Sequence, residues 1–263
     1  MVTNIQVGLN GTMLHTLDPS IIIQGIDEQA PSWTPNAVNS AGLVGQHFTT
    51  LEKRYRDVTI SLAIKKQATL AARRAIYEKV CAWAAPGGRL TVNYRPGVEL
   101  RVVCIAIPAL ANITQWGNPM TITFRAYNIP QWIDTNVTIA DTDTAATRSS
   151  VELTVAATGG GKLWASVYNS SGDMCNWLQI VTTNGIIAFS DLGLASGESL
   201  HITYSLDDIQ AIQIRNGNTY RSALAKRTTA SVDDIWLAKG SNTIHVYAPV
   251  PVVYSVSTYG RWI

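Results

Sequence analysis

The chain has 263 residues, a formal net charge of +2 and 14% charged residues, against about 25% in an average soluble protein. So small a net charge excludes the basic surface that nucleic-acid binding requires. Hydrophobic residues make up 46% of the chain, which is enough for a large core but leaves few charges to cover the outside. This balance favours a subunit that buries part of its surface against neighbours.

The cysteines and the N-terminal residues argue against two further classes of protein. Cys81, Cys104 and Cys175 are an odd number without a close pair, so no disulfide framework is expected. The first residues, MVTNIQVGLNG, lack the basic and apolar regions of a signal peptide. No run approaches the roughly 18 apolar residues of a membrane span. We therefore expect a protein that folds in a cytoplasm without membrane insertion.

Strands are predicted on both sides of a single helix in the first half of the chain. Apolar residues alternate over 57–64, which predicts a half-buried strand. Over 67–85 they change to helical spacing, and Pro86-Gly87-Gly88 ends the helix. The helix face expected to pack on the sheet consists of Leu70, Tyr77, Val80 and Ala84, and the opposite face mostly of Arg73, Arg74, Glu78 and Lys79. Further strands are expected at residues 3–9, 12–15, 20–26, 46–64, 90–94, 98–107 and 120–127, the first two forming a hairpin about Asn10-Gly11.

Residues 28–54 are predicted to form an arm that reaches an adjacent subunit. Pro31 and Pro35 favour extended backbone and cannot donate ladder hydrogen bonds. A free loop would leave several apolar side chains in water, namely Trp33, Val38, Leu43 and Val44. Burial of these side chains in a head-to-tail contact resolves the conflict. The alternative is a long hairpin folded back on its own sheet.

The second half of the chain is predicted to be a separate β-sandwich. Residues 134–149 are rich in Thr, Asp and Ala, which indicates a linker or an edge segment, so we place two domains at 1–134 and 135–263. Short strands with turn signals at roughly 10-residue spacing follow. These strands are expected at residues 151–156, 163–168, 177–181, 186–189, 199–204, 209–214, 243–248 and 252–257.

No constellation of residues typical of catalysis, metal binding or cofactor binding is found. The four histidines have no ligand spacing. Gly159-Gly160-Gly161-Lys162 is not a phosphate-binding loop, because Ala156 replaces the first glycine and Leu163 follows the lysine. Three tryptophans of the second half are either core residues or a platform for stacking sugars: Trp164, Trp177 and Trp236.

Several segments resemble siphophage distal tail proteins. In the first half these are LHTLDPSIIIQGIDEQAP (residues 14–31), the RDVTISLAI strand, the helix, PGGRLTVNYRPG and RVVCIAIPAL. In the second half LASGESLHITY, IQIRNGNTY and IWLAKGSNTIHVYA resemble the C-terminal sandwich of the same family. The resemblance extends over nearly the whole chain, through glycine and apolar spacings.

The resemblance implies a mainly-β fold with an N-terminal β-sandwich or split-barrel domain that carries the helix, and a galectin-like or carbohydrate-module-like C-terminal sandwich. It implies a virion structural protein, made in the host cytoplasm, that forms a hexameric ring at the tail tip. Such a ring joins the tail tube protein to the baseplate hub, docks receptor-binding proteins and leaves a channel for DNA, and the family offers no catalytic residues. The residues themselves leave two other classes open: a carbohydrate-binding module on a β domain for host-surface adhesion, and a hydrolase assembled from distant residues.

Overall fold

The structure is a computed structural model that describes residues 5–38, 47–53, 55–107, 120–127, 129–142, 144–205 and 209–263, with the backbone alone at 33–38 and 47–53. The chain divides into two compact units, residues 1–133 with Ile263, and residues 134–262. Strands dominate, and the described residues contain one α-helix. The predicted mainly-β class is thereby confirmed. Whether 1–134 and 135–263 fold independently stays a prediction.

The first unit is built on an antiparallel sheet. The strands described in this unit are β1 (Val7–Leu9), β2 (Thr12–Met13), β3 (Ile21–Glu28), β4 (Trp33–Val38), β5 (His47–Lys53), β6 (Arg56–Ile64), β7 (Gly88–Val92), β8 (Val98–Ala106), β9 (Met120–Ala126) and β10 (Trp132–Asp134). Seven of them follow each other across the sheet in the order β2-β1-β7-β8-β9-β6-β3. The predicted hairpin between β1 and β2 is confirmed, with positive φ angles of 52° at Asn10 and 82° at Gly11.

The helix α1 (Leu70–Ala84) begins after Thr69, whose hydroxyl accepts a hydrogen bond from the Ala72 N–H at 3.1 Å. Its buried residues are Arg73, Ile76, Val80, Trp83 and Ala84. The Trp83 indole donates to the Thr12 carbonyl at 2.9 Å and meets Phe124 edge-on. The helix therefore covers the apolar side of the sheet.

The predicted helix face is partly wrong. Leu70 is 48% exposed, and Tyr77 lies at the margin of the buried stripe. Residues three and seven positions apart share a helix face, so the stripe through Ile76 and Val80 passes through Arg73 one turn earlier and misses Leu70. Arg73, expected in solvent, is 2% exposed. Its long aliphatic stem lets it occupy such a position.

The second unit is a sandwich organised around one very long strand. Its strands are β11 (Thr138–Asp141), β12 (Ala146–Val155), β13 (Gly161–Lys162), β14 (Trp164–Asn169), β15 (Leu178–Thr182), β16 (Gly185–Phe189), β17 (Ser199–Tyr204), β18 (Gln210–Asn216), β19 (Thr219–Ser222), β20 (Trp236–Leu237), β21 (Gly240–Thr258) and β22 (Arg261–Trp262). The prediction of separate strands at 243–248 and 252–257 is wrong, because both belong to the 19-residue β21.

Strand β21 contributes to both layers of the sandwich. Its first part pairs with β12 and β15, and its last part pairs with β14 and β11. Even-numbered residues from Asn242 to Thr258 are buried and odd-numbered ones are not, so one alternating pattern faces the core throughout. Pro249 and Pro251 fall on the outer face, where the strand passes from one layer to the other.

The segment 134–149 is an edge segment and not a free linker. Its strands β11 and β12 both pair with β21. Neither pairs with a further strand in the part of the chain that the structure describes. Thr and Asp side chains suit such an edge because they leave the outer side hydrated. Of the two readings that composition left open, the edge segment is therefore the observed one.

Candidate functional site

The region predicted as an arm forms a two-stranded ribbon in the first unit. Strands β4 and β5 are antiparallel, from Trp33 opposite Lys53 to Val38 opposite His47. Neither strand pairs with any other strand among the described residues. A strand at 33–38 was not predicted, since Pro35 removes a ladder donor, but edge strands tolerate proline. We call residues 33–53 the arm ribbon.

The structure describes the backbone of two of the four predicted interface residues. Trp33 and Val38 are the first and last residues of β4. Leu43 and Val44 lie outside the described residues. The role of these four residues in a subunit contact therefore stays a prediction.

Two backbone hydrogen bonds fix the place where the arm ribbon leaves the sheet. The Gln29 N–H donates to the Asp57 carbonyl at 3.0 Å, and the Ser32 N–H donates to the Tyr55 carbonyl at 2.7 Å. The chain thus leaves β3 and returns into β6 at adjacent points. We call the residues around this junction the arm root.

A carboxylate collects three donors at the arm root. Glu28 Oε1 accepts a hydrogen bond from the Tyr94 hydroxyl at 2.5 Å, and Oε2 accepts one from the indole of the fully buried Trp132 at 3.0 Å. Arg95 Nη2 lies 3.3 Å from Oε2. Burial, together with the bond to Glu28, raises the pKa of Tyr94 above its ordinary value. The last residue of β3 is therefore held by three side chains from two distant parts of the chain.

A second ion pair lies one residue into the returning strand. Arg125 donates to both oxygens of Asp57 at 2.6 and 2.7 Å, the planar two-bond geometry that arginine favours. Its guanidinium also lies 4.0 Å from the centre of the Tyr55 ring. The hydrogen bonds to Asp57 raise the pKa of Arg125. The return of the arm ribbon into β6 is thus fixed on the outer face of the sheet.

Arg56, the first residue of β6, is a buried cation within the arm root. It is 3% exposed, and its Nε and Nη1 atoms meet no hydrogen-bond acceptor in the described part of the chain. Burial lowers the pKa of Arg56, the nearby Glu28 opposes this effect, and Arg95 adds to it. Glu28 is therefore the negative charge that offsets two arginines.

The contacts of the arm root serve to position the backbone of the arm ribbon. The described residues contain no group of three or more His, Cys, Asp or Glu side chains that could hold a metal ion. Within the same residues, no helix is long and apolar enough to cross a membrane. What the arm root can do is hold the two ends of the arm ribbon in a fixed position.

The three tryptophans considered for sugar stacking do not form one platform. Trp164 packs against the rings of Tyr204 and Tyr259, with centroids 6.0 and 5.3 Å away. The Trp236 indole donates to the Gly159 carbonyl at 3.1 Å, beneath a guanidinium. Trp177 is 40% exposed and leads into β15, in the other layer from Trp164. Sugar stacking at any one of them stays a prediction.

Over almost its full length the chain is similar to the Dit (gp 19.1) protein of phage SPP1, described as a paradigm of the hub adsorption apparatus in Gram-positive-infecting phages. The TM-score is 0.71 at 13% identity, over 99% of this chain and 100% of that one. The chain has the Dit fold. It is also similar to a chain of the phage P2 baseplate in its activated conformation with Ca, with a TM-score of 0.50 at 10% identity over 100% of both chains. No protein-family model and no curated protein matches the chain.

The mainly-β sandwich fold expected from the resemblance to distal tail proteins is thus confirmed, and the galectin-like character of the second domain stays a prediction. The arm root was not anticipated. Its contacts join residues 66 to 104 positions apart in the sequence, which no local period reveals. One signal was present. Arg56 and Asp57 precede an alternating apolar strand in a chain with few charges, and charged residues that begin a core strand need partners.

Proposed function

We propose that this protein is a structural subunit of a phage tail tip. The observation that carries the proposal is the match to the SPP1 Dit protein over 99% of the chain. In this role it forms a ring, with six copies as the expected number, that joins the tail tube protein to the baseplate hub or tail fibre. The ring leaves a central channel through which DNA passes, and the virion tail is its location.

The arm ribbon is the element that we assign to contact between copies. The alternative was a hairpin folded back on its own sheet, and among the described residues β4 and β5 pair only with each other. Their outer edges therefore offer backbone donors and acceptors to a neighbouring chain. A contact of one copy's arm with a different surface of the next copy is head-to-tail, and such contacts close into rings.

The arm root supports this assignment because it limits how the ribbon can turn. Glu28 and Asp57 lie at the two ends of the arm. Glu28 accepts hydrogen bonds from Tyr94 and Trp132 and pairs with Arg95. Asp57 accepts two hydrogen bonds from Arg125. A ribbon with fixed ends loses less conformational freedom when it binds a neighbour. Tail tube, hub and receptor-binding proteins are the further partners of this ring, and the proposal includes no catalytic step.

The test is to replace the arm ribbon, residues 33–53, by a short Gly/Ser turn. The turn can close because the Ser32 N–H and the Tyr55 carbonyl are 2.7 Å apart. The proposal expects a folded monomer, with an unchanged circular dichroism spectrum, where the native protein gives a ring by light scattering. The control variant Asn218→Gly changes the turn of the β18–β19 hairpin, Gly217-Asn218, and is expected to leave the ring intact. A shortened variant that still assembles into the same ring would contradict the proposal.

A further inference from the structure

The outer face of one layer of the second unit carries a row of polar side chains that crosses six strands. The strands lie side by side in the order β11-β21-β14-β17-β18-β19. Residues opposite each other in neighbouring strands project from the same face. The register aligns Asp141, Ser255, Ser166, His201, Gln213 and Ser222. We call these six residues the polar row.

The polar row lies between large aromatic side chains. Tyr168 and Trp164 stand two residues on either side of Ser166 in β14, on the same face. Tyr220 stands two residues from Ser222 in β19. Tyr168 is 44% exposed and Tyr220 is 58% exposed. Small hydroxyl side chains lie between these rings in β14, and six strands at about 4.8 Å spacing make the polar row roughly 24 Å long. We call the polar row with its flanking rings the trough.

The hydrogen-bonding groups in the centre of the trough are available to a ligand. In the described part of the chain, no hydrogen bond engages the side chains of Ser166, Gln213 or Ser255. His201 Nε2 also has no partner among these residues, but it is shielded from solvent and lies beneath the surface that a ligand would contact. Burial, with a contribution from Arg215, lowers the pKa of His201. The neutral imidazole both donates and accepts hydrogen bonds, as the neighbouring hydroxyl and amide groups do.

We infer that this trough binds an uncharged oligosaccharide chain along the polar row. A sugar ring has an apolar C–H face, which packs on an aromatic ring, and a rim of hydroxyls that donate and accept. The trough offers rings beside a line of polar groups that are neutral except for Asp141, at its β11 end. Arg215 is the nearest cation, and its Nε donates to the Gly217 carbonyl of its own hairpin at 2.8 Å.

A protein partner fits this face less well. The centre of a protein interface is apolar and well packed, with polar groups at the rim. Here the polar groups are in the centre and the rings are at the sides. The inference goes beyond the proposed tail-tip role and does not depend on it, since ring formation is assigned to the first unit and is measured separately.

The experiment measures binding of the full-length protein to an array of immobilised neutral oligosaccharides of hexoses and N-acetylhexosamines. Tyr168→Ala removes a ring beside the row, and Gln213→Ala removes a polar side chain within it. Each is expected to weaken binding to the best saccharide by about tenfold, the loss of one good contact. Trp177→Ala is the matched control, because it removes an exposed ring from the same unit outside the trough, and its binding is expected to equal that of the native protein.

A second variant keeps the test independent of folding. Ser166→Tyr fills the middle of the trough while removing only a hydroxyl, and it is expected to abolish binding with an unchanged melting temperature. The proposal is overturned by an absence of binding to every saccharide, or by binding that Trp177→Ala weakens and Tyr168→Ala does not. If no saccharide binds, but a purified tail protein binds the native chain and not Ser166→Tyr, the face is a protein-binding surface instead.

Discussion

Two hairpins of this molecule are fixed in different ways. The β18–β19 hairpin extends a sheet, since β18 pairs with β17 along its length and β19 pairs with β18. The arm ribbon, β4–β5, adds to no sheet among the described residues. A hairpin that extends a sheet is positioned by ladder hydrogen bonds, whereas one that leaves it has ladder bonds only within itself. Its direction must come from side chains at its base.

Each hairpin is held by a carboxylate, and the surroundings of the two carboxylates differ. Glu28 meets the fully buried Trp132 and two arginines within the arm root. Glu198 accepts from the Ala195 N–H at 2.9 Å and from Arg221 at 2.5 Å, but the Arg221 side chain is half exposed. Glu198 itself is buried, at 7% exposed, but water can solvate Arg221 if Glu198 is lost. Water cannot reach Arg56 of the arm root in the same way, because Arg56 is 3% exposed.

The difference lies in the cations, because Arg56, which Glu28 offsets, is buried, whereas Arg221, which Glu198 pairs with, is half exposed. Removal of one partner of a buried ion pair is expensive, because the other charge remains without compensation. A solvated pair contributes little. Loss of Glu28 at the arm root is therefore expected to destabilise the fold strongly. The β18–β19 hairpin is held mainly by its ladder of backbone hydrogen bonds.

The largest loss of folding stability is expected for a charge placed under the helix α1. Val80→Asp places a carboxylate at a position that is 1% exposed, and we expect the free energy of unfolding to fall by about 4 kcal/mol. Ala75→Asp, on the exposed face of the same helix, is expected to cost below about 1 kcal/mol. Urea unfolding of both variants gives the comparison. Equal losses would mean that the helix face is assigned wrongly.

The sequence predicted this helix but not its buried arginine. The change from period two to period 3.6 after Ile64 identifies a helix, and the predicted range 67–85 agrees with Leu70–Ala84 within three residues. Hydropathy, however, ranks leucine above arginine, so Leu70 was assigned to the core and Arg73 to solvent. The rotation of the stripe follows from contacts such as that of Trp83 with Thr12, 71 positions away.

The two β21 segments illustrate the same limit in the second unit. Alternation predicts two separate strands at residues 243–248 and 252–257, with Pro249 and Pro251 between them. Both prolines lie on the outer face of a strand that changes layers, where neither interrupts the core pattern. Sequence periodicity thus predicts which side chains face the core, and the layer arrangement depends on pairing between distant strands.

The arm root gives the next largest expected effect. Glu28→Ala removes the acceptor of Arg95 and of the Trp132 indole, and with it the negative charge that offsets the buried Arg56. We expect a loss of about 3 kcal/mol in the free energy of unfolding. Hydrogen exchange at the amides of Gln29 and Ser32 should also accelerate, since these amides fix the arm root.

Asp27→Ala is the matched control, because Asp27 is the exposed carboxylate immediately before Glu28 in β3. It is expected to change the free energy of unfolding by less than about 0.5 kcal/mol. If Glu28→Ala behaves like Asp27→Ala in urea unfolding, Glu28 is not the group that holds the arm root.

The corresponding change in the second unit is expected to be smaller. Glu198→Ala removes the acceptor of the Ala195 N–H and of a half-exposed arginine, so we expect a loss of about 1–2 kcal/mol. Glu152→Ala, at an exposed position of β12, serves as the control. A loss larger than that of Glu28→Ala, measured under the same conditions, would reverse the order proposed for the two hairpins.

The smallest effect is the pH dependence of the second unit. Burial first, and Arg215 second, lower the pKa of His201 from its ordinary 6.5. For Glu198, burial alone would raise the pKa, but the Ala195 N–H and Arg221 outweigh it and lower the pKa from 4.5. Both groups thus bind protons more weakly in the folded protein than in the unfolded chain. Stability from each is fully present above its unfolded pKa and is lost as the pH falls through the folded pKa.

We therefore expect the melting temperature to decline in two stages on acidification, first below about pH 6.5 through His201 and again below about pH 4.5 through Glu198. His201→Gln should remove the first stage, because glutamine does not titrate. Glu198→Gln should weaken the second stage and leave the first unchanged. Because the unfolded chain gains the proton first in both cases, a melting temperature that rises as the pH is lowered through either stage contradicts the assignment of that stage.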